Sequence, residues 1–274
     1  MSITFSKYQG AGNDFILIDN RHSLYSPFDV NQIRYLCDRQ MGIGADGILW
    51  IEMSEIADYK MRIFNADGSE PSMCGNGMRC VCDFLAKGNG FQKLNIEIAG
   101  RIVSCCKEGD KIHVNLGTPS LSHWPIELVL RRGPVPVYVL DTGVPHAVLF
   151  VQDILGLPFT DLGEEIRWHR AFAPGGVNVN CATVAPDGSM QVRSYERGVE
   201  NETLACGTGA AATAWVAAHV HGLKEPIVIK TRAELGSDVF QETMQFAFPI
   251  HSNGEKQIEM LGTAHCVFTG LIDL

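Results

Sequence analysis

Residues 64–82 read FNADGSEPSMCGNGMRCVC, and residues 195–212 read YERGVENETLACGTGAAA. In both, an acidic, turn-rich run leads into Cys-Gly-x-Gly, and small or apolar residues at helix-compatible spacing follow. Turn residues before such spacing mark a helix start, so Cys74 and Cys206 are each expected at a helix N-terminus. Two such helices, one in each half, predict a chain built twice on one plan.

Working outward from the first stretch, Ile3–Lys7 alternates as a strand, and after a turn at 10–14 Phe15–Asp19 reads as a second strand. Asp29–Arg39 has Val30, Ile33, Leu36 and Cys37 at helical spacing, with Asp29 as the cap. Tyr59–Asn65 reads as a strand leading to a helix over Gly75–Lys87, with Met78, Val81, Cys82 and Leu85 along one side and Gly88-Asn89-Gly90 ending it. Strands are expected at Leu94–Ile98, Ile102–Cys106 and Ile112–Leu116. Around the second stretch, Val135–Leu140, Ala147–Val151, Val177–Val184 and Met190–Glu196 read as strands, Asp161–Arg170 and Gly207–His219 as helices, and further strands run to the end. The fold class is α/β (α+β). Residues 117–119, GTP, make the natural division, which gives a domain of residues 1–117 with Cys74 and one of residues 118–262 with Cys206. Residues 42–47, GIGADG, match the dinucleotide glycine pattern. That motif needs a strand before it and a helix after it. Here a helix precedes and the β-prone ILWIE follows, so the stretch reads as a loop.

At 274 residues, two domains are the default, and 46% apolar content suits a soluble globular protein. A net charge of -9 argues against nucleic acid or an anionic membrane as partner. The N-terminal MSITFSKYQGAGND has no basic-then-apolar signal pattern, and Gly209–Val220 is too short to span a bilayer, so a cytoplasmic location is expected. Nine cysteines without a secretory signal do not suggest a disulfide framework. Cys80-x-Cys82 and Cys105-Cys106 lack the second arm of a zinc site, so no metal is expected. Seven cysteines (37, 80, 82, 105, 106, 181 and 266) read as small core residues. Cys74 and Cys206 are hemmed in by glycine and polar residues instead.

A thiol serves as a base only as the thiolate, and its ordinary pKa is about 8.5. A helix N-terminus favours the anion by about 0.3–1 kcal/mol, which is less than one pKa unit. Direct N–H donors must add to it. Glycines at 75, 77, 207 and 209 leave such donors unshielded. The same donors can hold a carboxylate. Taking the α-proton from an amino acid spreads negative charge into that carboxylate, and one well-placed donor stabilises such charge by about 2.7–4 kcal/mol. A thiolate on one face of a carbon and a thiol on the other would invert the stereocentre in either direction, titrating as a coupled pair.

These residues resemble the diaminopimelate epimerase family of cofactor-independent amino-acid racemases and epimerases. The resemblance covers nearly the whole chain: GAGNDF (10–15), GIGADG (42–47), FNADGSE (64–70), MCGNG (73–77), PH (145–146), VN (177–178), YERG (195–198) and ACGTG (205–209). It implies two pseudo-symmetric domains, each a curved sheet around a central helix, with the last strand (263–274) returning to the first domain and the substrate in the cleft between the domains. It implies interconversion of LL- and meso-diaminopimelate with no cofactor and no metal, in lysine and peptidoglycan-precursor synthesis, and a homodimer. Cys74 and Cys206 take the places of the acid–base pair, with His146 and Glu196 as auxiliary polar groups. Gly75-Asn76 and Gly207-Thr208 take the place of the carboxylate cradle, and Glu196 that of the amino-group partner. Asn13, Asn65, Asn178 and Arg197 take the places that hold the far end of the substrate. An arginine suits a distal carboxylate because its fork binds two oxygens at once.

Two positions depart from the family pattern. Val144 stands where many relatives have asparagine, and Gly47 where some have glutamine. Both remove a polar side chain from the distal end, which predicts some side activity on glutamate. The alternatives are a proline or hydroxyproline racemase, which typically reads Cys-Gly-His-Gly where this chain has Asn76, and a non-catalytic thiol redox sensor or metal binder.

Overall fold

In the computed structural model, which describes residues 2–89, 93–121, 124–235, 238–251 and 254–274, the alternation at the N-terminus forms a hairpin. Strand β1 (Ser2–Gly10) pairs antiparallel with β2 (Asn13–Asp19), Gly10 opposite Asn13. The two-residue loop needs positive φ at both positions. Gly12 (φ 77°) adopts this freely, and Ala11 (φ 57°) adopts it at a cost of about 1–2 kcal/mol. Helix α1 (Val30–Cys37) follows, with Asp29 and Gln32 forming a capping box at its start. Strand β3 (Gly47–Glu52) then lies parallel to β2, and β4 (Tyr59–Asn65) antiparallel to β3. Helix α2 (Gly75–Asn89) leads to β5 (Lys93–Ile98), parallel to β4, and to the antiparallel β6 (Arg101–Glu108) and β7 (Lys111–Gly117). The expected helix stop at Gly90 lies outside the described residues.

The second half holds β8 (Ser120–Leu121), β9 (Ile126–Leu130), β10 (Gly133–Asp141), β11 (Pro145–Phe150), α3 (Phe159–Arg167), β12 (Asn178–Val184), β13 (Met190–Glu196), β14 (Asn201–Thr203), α4 (Gly207–Val220), β15 (Ile227–Leu235), β16 (Asp238–Ala247) and β17 (Ile258–Gly262). The last strand, β18 (His265–Asp273), pairs antiparallel with β1. Two compact units result: Met1–Asn115 with Leu261–Leu274, and Leu116–Met260.

The pairing order repeats between the units. In the first, β1–β2 is antiparallel, β2–β3 parallel around α1, β3–β4 antiparallel, β4–β5 parallel around α2, and β5–β6 antiparallel. In the second, β10–β11, β11–β12 around α3, β12–β13, β13–β15 around α4, and β15–β16 follow the same order. Parallel neighbours need a crossover, and each helix supplies one. The fold is the expected α/β (α+β) class with pseudo-symmetric halves.

Each crossover helix after the Cys motif is central to its unit. Helix α2 packs against β1, β2, β3, β4, β6 and β18, and α4 against β10, β11, β12, β13, β15 and β16. A sheet whose strands all touch one helix must curve around it. Every residue from Gly75 to Asp83 and from Gly207 to Ala217 is buried, so α2 is covered on all sides and not only on the expected apolar side. The carboxylate this encloses is paired. Asp83 meets Lys87 at 2.7 Å, Lys107 at 2.6 Å and the Tyr8 hydroxyl at 3.1 Å.

Helix α3 differs from its expected span. Phe159, 1% exposed, anchors its first turn in the core. The chain leaves the helix after Arg167 because the His169 side chain accepts the Ala171 N–H and starts a separate 3-10 turn at Arg170–Phe172. Strands β8, β9 and β14 were also not expected. Strand β14 is polar and short, and exists because β13 pairs with it across a turn closed by Glu200 N–H donating to Glu196 C=O at 2.8 Å.

Candidate active site

The pairing repeat gathers polar residues at one end of each sheet. In the first unit, Asn13 opens β2, Gly47 opens β3 and Asn65 closes β4, with Gly47 directly opposite Asn65. From β4 the chain turns through 66–74 into α2, which brings Cys74 to the helix start. The Cys74 carbonyl accepts the Met78 N–H at 2.9 Å, and its Sγ accepts the Gly77 N–H at 3.3 Å. This is the N-cap pattern, with sulfur in the place of the usual oxygen. The N–H groups of Gly75 and Asn76 bond to none of the described residues, and both residues are buried. Asn76 donates through Nδ2 to Asn13 Oδ1 at 3.4 Å, while its own buried Oδ1 has no partner among the described residues. Asn13 in turn donates to Asp46 Oδ2 at 2.7 Å. Burial and the neighbouring Asp14 charge raise the Asp46 carboxyl, while Asp14, opposed by burial, is pulled down to about 2 by Arg39 and Lys7. Asn65 uses its Nδ2 on Ser69 Oγ, 2.9 Å away in its own turn.

In the second unit, His146 and Asn178 are paired near the starts of the parallel strands β11 and β12, and Glu196 closes β13. Cys206 is the N-cap of α4, its Sγ accepting the Gly209 N–H at 3.4 Å and lying 3.5 Å from Thr208 Oγ1. The N–H groups of Gly207 and Thr208, also buried, bond to none of the described residues. Burial and the charge of Glu196 push the Cys206 thiol well above the ordinary range. The N–H and hydroxyl donors oppose this and lose. The expectation that a helix start favours the thiolate is therefore reversed at Cys206: its resting form is the protonated thiol. Glu196 also accepts a short hydrogen bond from Thr203 Oγ1.

His146 is fully buried, with Nδ1 3.0 Å from Asn180 Nδ2. Burial and the charge of Arg197 hold its pKa down to about 3, so it is a neutral imidazole. Asn178 spends both amide ends on backbone, donating to Pro145 C=O at 3.1 Å and accepting the Arg197 N–H at 2.8 Å. It thus fixes where Arg197 leaves β13. The Arg197 guanidinium is exposed and forms no ion pair among the described residues.

Within the units, then, the structure joins Cys206 to Thr208 by contact and to Glu196 through its charge, Asn178 to Arg197, and Asn13 to Asn76. Asn65 is placed beside Gly47 by register, not by a side-chain contact with the other site candidates. A Cβ added at Gly77 would come within 2.8 Å of Leu49 Cδ2, and one at Gly209 within 2.1 Å of Asn180 Oδ1. A side chain at the third position of either helix would therefore have to displace Leu49 or Asn180. No group of three His, Cys, Asp or Glu among the described residues is arranged to hold a metal ion, and no helix is long and apolar enough to cross a membrane. Asp46, Asn180, Ser194, Thr203 and Thr142, whose hydroxyl donates to Thr208 C=O at 3.0 Å, were not anticipated. Asn180 had a signal, since Asn178-Val179-Asn180 puts two polar groups on one face of an otherwise apolar strand.

Solved structures share this architecture at low identity. A PhzF-family phenazine biosynthesis protein from Bacillus anthracis superposes with TM-score 0.73 at 16% identity, covering all of both chains. A probable proline racemase from Agrobacterium radiobacter matches with TM-score 0.73 at 13% identity, over 99% of this chain and 93% of that one. The fold is thus the one shared by PhzF proteins and the amino-acid racemases. The model of the family described as diaminopimelate epimerase matches residues 5–122 and 138–267. Diaminopimelate epimerase of Microcystis aeruginosa is 37% identical over 99% of both chains, and that of Chlamydia muridarum 38% identical over 87% of both. The chain belongs to the diaminopimelate epimerase family, a family of isomerases.

Proposed function

We propose that this protein interconverts LL- and meso-diaminopimelate, supplying lysine and peptidoglycan-precursor synthesis. Cys74 and Cys206 act as the two bases on opposite faces of one α-carbon. One observation carries the reading: each unit presents a thiol at a buried helix start beside two N–H groups that bond to none of the described residues. Buried helix-start donors without partners are suited to an anion. Gly75, Asn76, Gly207 and Thr208 accordingly hold the carboxylate of the reacting centre, and Glu196 holds its ammonium. Asn13, Asn65, Asn178 and Arg197 serve the distal end, Asn178 by fixing the course of the Arg197 backbone.

As the thiolate of Cys74 takes the α-proton, negative charge grows on the carboxylate, where the helix-start donors stabilise it most. Cys206, resting as the thiol, returns a proton to the other face. Each turnover leaves the two sulfurs with exchanged protonation states, ready for the opposite direction. No cofactor takes part in these steps. The two bases come from two domains, residues 1–117 with 263–274 and residues 118–262. A cytoplasmic homodimer fits the family assignment.

Deuterium uptake at the α-carbon of diaminopimelate in heavy water is the test. Wild type is expected to exchange, and Cys74→Ser and Cys206→Ser each to lose epimerisation by about 100-fold or more, since serine is a far weaker acid. Near-normal turnover in either variant removes that cysteine from the mechanism. Proline and glutamate belong in the same assay. Asn76 disfavours proline. Glutamate turnover rests on the departures at Val144 and Gly47. A Cβ at Gly47 would lie 2.4 Å from Phe64 O, so the backbone here has no room for the side chain that some relatives carry.

A further inference from the structure

Asn180 is fully buried in the middle of β12, so both ends of its amide need partners. Its Oδ1 accepts the hydroxyl of Ser194, the residue paired with it on β13, at 2.9 Å. The same oxygen lies against Gly209, where a Cβ would be only 2.1 Å away, so a Gly209 Cα–H faces it. This leaves Nδ2 for His146, 3.0 Å from its Nδ1. An amide nitrogen only donates, so Nδ1 must accept, and the single proton of the neutral ring is on Nε2. Nε2 is buried and has no partner among the described residues. A buried N–H without an acceptor destabilises the empty fold and points to an acceptor that arrives with a ligand.

We infer that Asn180 is a positioning residue: it holds His146 as the Nε2–H tautomer, a neutral donor kept for an anionic acceptor in the loaded site. Asn180 also braces the start of α4, because the Gly209 it abuts donates its N–H to Cys206 Sγ. One side chain thus sets the proton position on His146 and the seat of the thiol together. The acceptor's part in turnover rests on the epimerase reading; the tautomer does not.

Long-range proton–nitrogen correlation on the full chain labelled with 15N-histidine reads the tautomer directly, the His146 signals being assigned by their loss in His146→Gln. Wild type is expected to show a protonated Nε2 and a bare Nδ1; a protonated Nδ1 would overturn the inference. Asn180→Asp keeps the size and the oxygen facing Gly209 but offers only acceptors, so the proton should move to Nδ1. With it, kcat should fall about tenfold or more, the scale of one lost hydrogen bond to a charged group, and KM should change less. A switched tautomer with unchanged kcat would also overturn the inference. If the buried carboxylate prevents folding, Asn180→Ser removes the donor instead. Mixed tautomers and lower kcat are then expected, and a pure Nε2–H signal with wild-type kcat counts against Asn180. A wild type that exchanges no α-proton would refute the epimerase reading, while the nitrogen signals would still decide what Asn180 does.

Discussion

Cys206 retains its proton because burial and the Glu196 carboxylate together outweigh the donors at the helix start. Glu196 is proposed to hold the substrate ammonium, so substrate would compensate that charge and make the thiol more acidic at the moment it is needed. A consequence follows for the free protein. In Glu196→Gln the like charge is gone and the thiolate forms at lower pH. The pH midpoint for alkylation of Cys206, read by mass spectrometry of its peptide, should therefore move down. An unmoved midpoint would show that burial alone sets the thiol. His146 is the contrasting case: with a pKa near 3 it stays neutral across the working range and gives no histidine limb to a pH–rate profile.

Helix α2 is the element on which the first unit depends, and Asp83 is its main electrostatic tie. Burial raises the Asp83 carboxyl, but Lys107 and Lys87 more than reverse this, so its pKa lies below the ordinary value. A depressed carboxyl contributes stability above its unfolded pKa and loses it as pH falls through the folded value. Breaking a buried pair costs about 3–5 kcal/mol, and screening at the half-exposed Lys87 brings the expectation for Asp83→Asn to about 2 kcal/mol. Urea melts at neutral pH should show that loss. The gap to wild type should close on acidification through the range where Asp83 protonates. A gap that persists in acid would mean that packing, not charge, is what Asp83 supplies.

At the scale of the whole molecule, one strand-and-helix plan occurs twice and delivers one thiol each time. If both thiols serve one carbon, a mild oxidant should join them, each sulfur losing its hydrogen as the S–S bond forms and the oxidant takes up both. None of the nine cysteines is in a disulfide in the structure. Diamide should abolish epimerisation, dithiothreitol should restore it, and bound substrate should protect. Peptide mapping that finds Cys74 and Cys206 unlinked after inactivation would separate the thiols and end the two-base reading.

Local chemistry was enough to locate what is local. Turn residues followed by Cys-Gly-x-Gly put Cys74 and Cys206 at helix starts, Asp29 declared its own cap, and alternation marked β1 and β4. These features depend on residues within a few positions of one another. Strand β14, the burial of α2 on every side, the Nδ1 contact between His146 and Asn180, and the protonated state of Cys206 could not be read that way. Each depends on a partner outside its own local run: six strands for α2, Asn180 on another strand for His146, and, closer by, β13 across a turn for β14 and Glu196 of β13 for Cys206. Burial and pairing are properties of the assembled chain, so the motif determined where the sulfurs stand in their helices, and only tertiary structure decided which protons they and their neighbours carry.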